Sequence, residues 1–221
     1  SQRKKFGVAL VQSQAGAENA MGGIAQAYAD NIPILVLPGG ISLNQIGVKP
    51  NFSASQKYQG WVKQVESVLS PYEVGNVMRR AFNALRNGRP GPVVVEMTSD
   101  VCSLEIHKDF ENYHSPCSAQ VTPSQNDIRD AVKYLMKAKK PLIWAGGGVL
   151  MSGASDELKK LVEVTGIPVF CTMQGKSAFD ERHPLSLGAG CGTTTLAAHS
   201  WLKNSDVILV LGSSLTRTPY G

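Results

Sequence analysis

Along this chain, short runs of apolar and β-branched residues alternate with stretches in which apolar positions recur every three or four residues. Gly7-Val-Ala-Leu-Val11 is the first such run and predicts a buried strand. Residues 13–16 are polar and contain a glycine, and residues 17–30 place Ala20, Ile24, Ala27 and Tyr28 at helical spacing, closed by Asn31. Residues 34–37 predict a second strand, stopped by Pro38-Gly39-Gly40. Strand, turn, helix and strand in this order form a βαβ unit, with parallel pairing and a right-handed crossover. Residues 41–70 break the rhythm, because residues 51–59 are almost free of aliphatic side chains. They predict a long irregular loop, and a loop of that length in a compact domain usually serves function. Ser70-Pro71-Tyr-Glu73 then carries the marks of a helix start: a capping serine, proline at the first position and an acid in the first turn. That helix shows Val74, Val77, Met78, Phe82 and Leu85 on one face and ends at Asn87-Gly88, before a strand at residues 93–97.

From Thr98 to Val121 the pattern dissolves into a polar stretch holding Asp100, Glu105, His107, Lys108, Asp109 and Glu111, which reads as a linker. A second α/β rhythm begins with a helix at 124–138 capped by Ser124, followed by a strand at 141–145 and the run Gly146-Gly147-Gly148. A helix at 154–165, a strand at 168–172, a helix at 195–203 and a strand at 206–211 complete it. The expectation is an α/β protein of two consecutive parallel-sheet units, the second Rossmann-like, joined near residues 101–122.

Composition narrows this only at the margins. Hydrophobic residues make up 43% of the 221, enough for a sizeable core. The longest apolar runs span about six residues where a membrane helix needs roughly 20, so no membrane partner is expected. The formal charge of +5 is dispersed over Arg3-Lys4-Lys5, Arg79-Arg80 and residues 137–140, and aromatics are 7%, so nucleic acid is not expected as a partner either. Cys102, Cys117, Cys171 and Cys191 include no CxxC pair and suit free thiols in a reducing, cytoplasmic setting. Ser1-Gln-Arg-Lys-Lys-Phe leads straight into the first strand, so no signal peptide is expected, and the lack of an initiator methionine suggests a non-native start.

For chemistry, the turn at residues 13–19 matters most. It joins a strand's carboxyl end to a helix, where open parallel sheets bind ligands. Gly16 permits close backbone approach, and Asn19 can donate and accept. An ordinary βα turn with Asn19 bonded locally accounts for the same residues, and both readings stand at this point. His107, His114, His183 and His199 are widely spaced and suit surface or locally bonded roles, and no GxSxG nucleophile elbow occurs.

Residues 7–40 resemble a stretch of the acetolactate synthase type of thiamine-diphosphate-dependent enzymes. Gly16-Ala17, Asn19, Gly23-Ile24-Ala25, Ala27-Tyr28-Ala29-Asp30 and Ile32-Pro33 carry the likeness, and Gly88-Arg-Pro-Gly-Pro-Val-Val-Val-Glu-Met-Thr-Ser-Asp-Val101 is similar to the close of that family's pyrimidine-binding domain. The likeness continues through the second half. It implies a partial pyrimidine-binding domain at 1–101, a linker at 102–122 and a central Rossmann-like domain at 123–221 that is truncated at its C-terminus. It further implies thiamine diphosphate held between subunits of a homodimer or homotetramer, Mg²⁺ on its diphosphate, and a 2-oxo acid or related carbonyl substrate for a carboligase, lyase or decarboxylase.

Gly16 and Asn19 would lie on the thiamine diphosphate side. The glutamate that generates the reactive ylid belongs upstream of Gly7 and the Gly-Asp-Gly…Asn metal motif beyond Gly221, so the chain carries neither a catalytic residue nor a metal ligand and is expected to be inactive alone. Two departures from the pattern stand out: Gln14-Ala15-Gly16 replaces Gly-Pro-Gly, and Phe52-Ser53-Ala54 replaces Phe-Gln-Glu. In the second unit Gly146, Gly147, Gln174, Gly188, Gly190, Gly212 and Ser213 match turns that contact FAD or an ADP-like nucleotide in some members. Gly190-Cys191-Gly192 and Leu215-Thr216-Arg217 depart from that pattern, and a non-flavin site is favoured. Two other readings remain: a non-catalytic nucleotide- or flavin-binding module on the same fold, and an electron-transfer flavoprotein subunit.

Overall fold

A computed structural model describes residues 5–106, 113–119, 121–190 and 194–216. The chain divides into two compact units, Phe6–Val121 and a second from Thr122 onward. His107, Lys108, Asp109, Glu111, Cys191, Gly192 and Arg217, which entered the sequence argument, lie outside the described residues.

In the first unit β1 (Gly7–Val11), β2 (Ile34–Pro38), β3 (Gln64–Val68) and β4 (Val93–Met97) form one parallel sheet in the order β1-β2-β4-β3. β4 runs between β2 and β3, pairing Leu35 with Val93 and Val68 with Met97. A strand covered on both faces needs apolar side chains at every position, and Val93, Val94 and Val95 are all fully buried. Their alternation builds two cores. Val93 and Val95 face α3 (Val74–Arg86) with Leu35, Val77, Ala81 and Leu85, whereas Val94 faces α1 (Ala15–Ala29) with Val36, Ala17, Ile24 and Tyr58.

The structure changes the reading of residues 41–70. They are not one irregular loop, because they contain the short α2 (Ala54–Lys57) and the edge strand β3. β3 holds three polar residues in five, Gln64, Glu66 and Ser67, and its Glu66 pairs with Arg80 of α3 at 2.7 Å. A half-polar edge strand looks like loop until its partner is known. Helix α1 begins at Ala15, so Gly16 and Asn19 lie in its first turns and the connecting turn is shorter than residues 13–19 suggested. Ser70 does cap its element, accepting from the Tyr72 N–H, but a 3-10 turn at Pro71–Glu73 precedes α3.

The stretch after β4 is tied down where it is described. Tyr113 packs on Phe82 and beneath the Arg79 guanidinium, and the Ala119 N–H donates to Asn87 Oδ1 at 2.6 Å. The carboxyl end of α3 is held from the other side as well. Lys63, just before β3, donates to the carbonyls of Ala84 and Asn87.

The second unit forms a parallel sheet of order β7-β6-β5-β8 from β5 (Pro141–Ala145), β6 (Val169–Cys171), β7 (Ser186–Ala189) and β8 (Val207–Leu211). Helices α4 (Gln125–Lys137), α5 (Gly147–Ser152), α6 (Ser155–Thr165) and α7 (Leu196–Asn204) cover it. Ile143, Ala145, Val162 and Val169 form the main core, and Leu142, Phe170 and Ala198 pack on the opposite face. Ser124 caps α4 by accepting from the Asp127 N–H at 3.1 Å. Two elements were not foreseen. Glycines at 147 and 148 open α5 and so resemble a turn, and Gly188, at φ 80°, interrupts the β pattern of β7.

Burial lowers the pKa of the Lys63 ammonium, yet its two carbonyl partners close the end of α3. Substitution of Lys63 by Met is expected to cost about 2 kcal/mol, since charge-assisted bonds to carbonyls that would otherwise be unmet are lost. Denaturant unfolding of the two proteins measures it.

Candidate cofactor-facing edge

Because all four strands of the first unit are parallel, their following loops meet at one edge of the sheet. The Gly39 N–H donates to the Val11 carbonyl at 3.0 Å and the Gly40 N–H to the Met97 carbonyl at 2.7 Å. A side chain at position 40 would come within 2.7 Å of that carbonyl oxygen, so glycine there lets the loops after β2 and β4 touch. Gly16 is required in a similar way, since a Cβ would lie 2.8 Å from Gln12 Cβ. Asn19 is exposed and three residues on, which puts it on the same helix face as Gly16.

Gln14, the residue just before α1, has φ 58° and ψ −117°, a conformation that glycine adopts far more readily. Its side-chain oxygen accepts the Phe52 N–H at 2.9 Å. The segment that begins there is held by an acid that sequence reasoning passed over. Glu96, near the carboxyl end of β4 and 5% exposed, accepts from Ser53 Oγ at 3.0 Å and from the N–H groups of Ala54 and Ser55 at 2.9 Å each. Tyr58, fully buried, donates its hydroxyl to the Ala17 carbonyl. Burial, and after it the negative charge of Glu96, push the Tyr58 phenol above its ordinary value. The signal in the sequence was a single acid inside Val-Val-Val-Glu-Met, a position where an apolar residue is the rule.

In the second unit, Gly146, Gly147, Gln174, Gly212 and Ser213 are brought together where β5, β6 and β8 end. The Gly146 N–H donates to the Leu211 carbonyl and the Gly148 N–H to the Gly212 carbonyl, each at 2.8 Å. The space a side chain would take at Gly146 is filled by Gly212 and Ser213, at Gly147 by Gln174, and at Gly175 by Ala145 and Gly146. At Gly190 it is filled by the Phe170 ring, and at Gly188 by Thr195. At all of these positions but Gly147, where the neighbours would have to give by only a few tenths of an ångström, glycine is demanded by the unit's own packing, whether or not a ligand binds. A cavity of about 320 Å³ opens beside them between α5 and α6, and its walls are largely apolar, with Val149, Leu158, Leu161 and Leu211.

Elsewhere the chemistry is sparse. Among the described residues no group of three or more His, Cys, Asp or Glu is placed to hold a metal ion. His183 accepts the Leu185 N–H at Nδ1 and packs edge-on against Phe179. Cys102 and Cys117 are free and exposed, and Cys171 is free and buried. No helix among the described residues is long and apolar enough to cross a membrane.

Comparison with known proteins gives this edge its context. Residues 1–67 match the thiamine pyrophosphate enzyme N-terminal TPP binding domain, and residues 128–221 match the thiamine pyrophosphate enzyme central domain. The chain belongs to the thiamine pyrophosphate enzyme family. A probable acetolactate synthase large subunit from Methanococcus aeolicus is 35% identical over 217 residues, covering 94% of this chain and 36% of that protein. The acetolactate synthase isozyme 3 large subunit of Escherichia coli is 33% identical over 220 residues, covering 94% of the chain and 37% of its own length. The acetolactate synthase large subunit of Corynebacterium glutamicum is 32% identical, covering 95% and 34%. The chain thus spans a little over a third of the length of these relatives. For a member of this family, the four-stranded parallel sheet of the first unit is the fold expected of the cofactor-binding domain.

Two outcomes test this geometry. Replacing Gly146 by Ala is expected to destabilise the second unit by about 3 kcal/mol, because the added methyl meets backbone rather than a movable side chain. Replacing Tyr58 by Phe should cost about 1 kcal/mol through the loss of its hydrogen bond to the Ala17 carbonyl. The raised Tyr58 pKa means that its contribution is complete below pH 10.0 and is lost as pH rises through the folded value. Alkaline unfolding curves should therefore show a high-pH limb that is weaker in the Tyr58→Phe protein.

Proposed function

We propose that this chain is the pyrimidine-binding and central portion of a thiamine-diphosphate- and Mg²⁺-dependent enzyme of the acetolactate synthase type. In this reading the enzyme joins, splits or decarboxylates 2-oxo acids or related carbonyl compounds. The observation that carries it is the occurrence of both family domains, in order, within one chain that is about a third identical to acetolactate synthase subunits over nearly its whole length. Residues 1–101 form part of the pyrimidine-binding domain, residues 102–122 the linker and residues 123–221 the central domain.

Gly16 and Asn19 face the cofactor. Gly16 leaves the helix face flat, and the Asn19 carboxamide, exposed beside it, offers a donor and an acceptor to a heterocycle edge. When bound, thiamine diphosphate supplies the electron sink that makes carbanion chemistry next to a carbonyl accessible. The protein's part at this edge is to orient the ring and keep water out, which the loops joined at Gly39, Gly40 and Gln14 support by closing the carboxyl end of the sheet. The acid that activates the cofactor and the Mg²⁺ ligands are assigned to other parts of the enzyme, which works as a cytoplasmic homodimer or homotetramer. FAD or an ADP-like nucleotide is the ligand class for the glycine edge of the central unit, with a non-flavin site favoured, since its glycines already have a packing role.

The full-length gene product and the 221-residue chain, each supplied with pyruvate, thiamine diphosphate and Mg²⁺, provide the test. Turnover of pyruvate is expected from the first and none from the second. Turnover by the 221-residue chain alone would overturn the division of roles. No thiamine diphosphate binding by the full-length protein, together with flavin absorbance, would favour the binding-module reading.

A further inference from the structure

A carboxylate buried in a parallel sheet carries a desolvation penalty that an apolar residue of similar size would avoid. Glu96 is 5% exposed in a strand with neighbours on both sides, and its three hydrogen bonds all run to one short segment, Ser53, Ala54 and Ser55. Phe52, the residue before that segment, gives its N–H to Gln14 Oε1. Tyr58, one turn after it, gives its hydroxyl to the Ala17 carbonyl. Residues 52–58 are therefore clamped to β4 at one side and to the start of α1 at the other. Gln14 itself keeps a backbone conformation that costs a residue with a side chain about 1–3 kcal/mol, so the turn it forms has to be held from outside.

We propose that Glu96 is a positioning residue for the cofactor-facing edge. It fixes residues 52–58, and through Phe52 and Tyr58 it sets the turn that presents Gly16 and Asn19. The hydrogen bonds of Glu96 go to that segment, and its effect passes on through two further hydrogen bonds, Phe52 to Gln14 and Tyr58 to Ala17. The inference rests on the thiamine diphosphate reading given above.

The test is thiamine diphosphate affinity of the full-length gene product, titrated with Mg²⁺ present, with melting temperature measured alongside. Glu96→Gln keeps the size of the side chain but turns an NH₂ group toward N–H donors. Ser53→Ala removes one of the three bonds, and Gln14→Ala cuts the link at its far end. Glu96→Gln is expected to weaken thiamine diphosphate binding about tenfold and Ser53→Ala about threefold, in the range of losses from small misplacements of a site. The Glu96→Gln, Gln14→Ala double variant should be little weaker than the weaker single one, because both changes break one chain of contacts.

Unchanged affinity in Glu96→Gln and Ser53→Ala, with only the melting temperature lowered, would show a purely structural acid and overturn the proposal. Fully additive losses in the double variant would overturn it too. Should Glu96→Gln not fold, Ser53→Ala and its combination with Gln14→Ala decide by the same criteria. A wild-type protein that binds no thiamine diphosphate overturns the functional reading itself, whereas a wild type that binds and variants that bind equally well overturn the positioning role alone.

Discussion

Parallel strands cannot be joined by a tight hairpin, because each must be followed by a crossover that returns the chain to the other end of the sheet. Both units obey that constraint throughout, in the orders β1-β2-β4-β3 and β7-β6-β5-β8. Two consequences shape everything else. Helices have to cover both faces, which turns the central strands into uninterrupted apolar runs such as Val93–Val95 and makes them the best-buried parts of the chain. All the loops that leave the carboxyl ends collect at one edge, so residues far apart in sequence, such as Gln14, Gly40 and Thr98, are gathered without any further design.

The two units hold their edges together by different means. The second unit brings backbone against backbone: Gly146 and Gly148 meet Gly212, and Gly175 meets Ala145, so the loops interlock because side chains are missing. The first unit adds polar side chains to a close backbone approach of its own, at Gly40 against Met97. Glu96 takes three donors from residues 53–55, Gln14 takes one from Phe52, and Tyr58 reaches the Ala17 carbonyl. Close backbone packing tolerates no substitution but leaves few polar groups for a ligand. A network of side chains has a cost in burial, yet it defines where a loop stands to within a hydrogen bond's length. That contrast matches the roles proposed for the two units, with cofactor positioning assigned to the first.

Where expectation and structure part, the cause is a contact from elsewhere in the chain. Residues 64–68 carry too many polar groups to announce a strand, and they become one because β4 supplies a ladder and Arg80 supplies a partner for Glu66. Glycines at 147 and 148 argue against a helix by propensity, and α5 forms there because its first turn lies against Gln174 at Gly147 and against Gly212 at Gly148. Gly16 and Asn19 were legible as members of a βα junction, but their place inside the first turns of α1, on a shared face, depended on where the helix began.

The sequence by itself determined the class of the fold, the order of most strands and helices, and the family likeness, since apolar periodicity, caps such as Ser70 and Ser124, and contiguous motifs are all local properties. Only the tertiary structure decided that Glu96 takes its three hydrogen bonds from residues 53–55 and that the glycines of the second unit serve packing. The reason is physical. A buried acid and a bare glycine mean nothing until the groups that fill the space around them are known, and in a parallel sheet most of those groups come from other crossover segments, about 20 to 70 residues away.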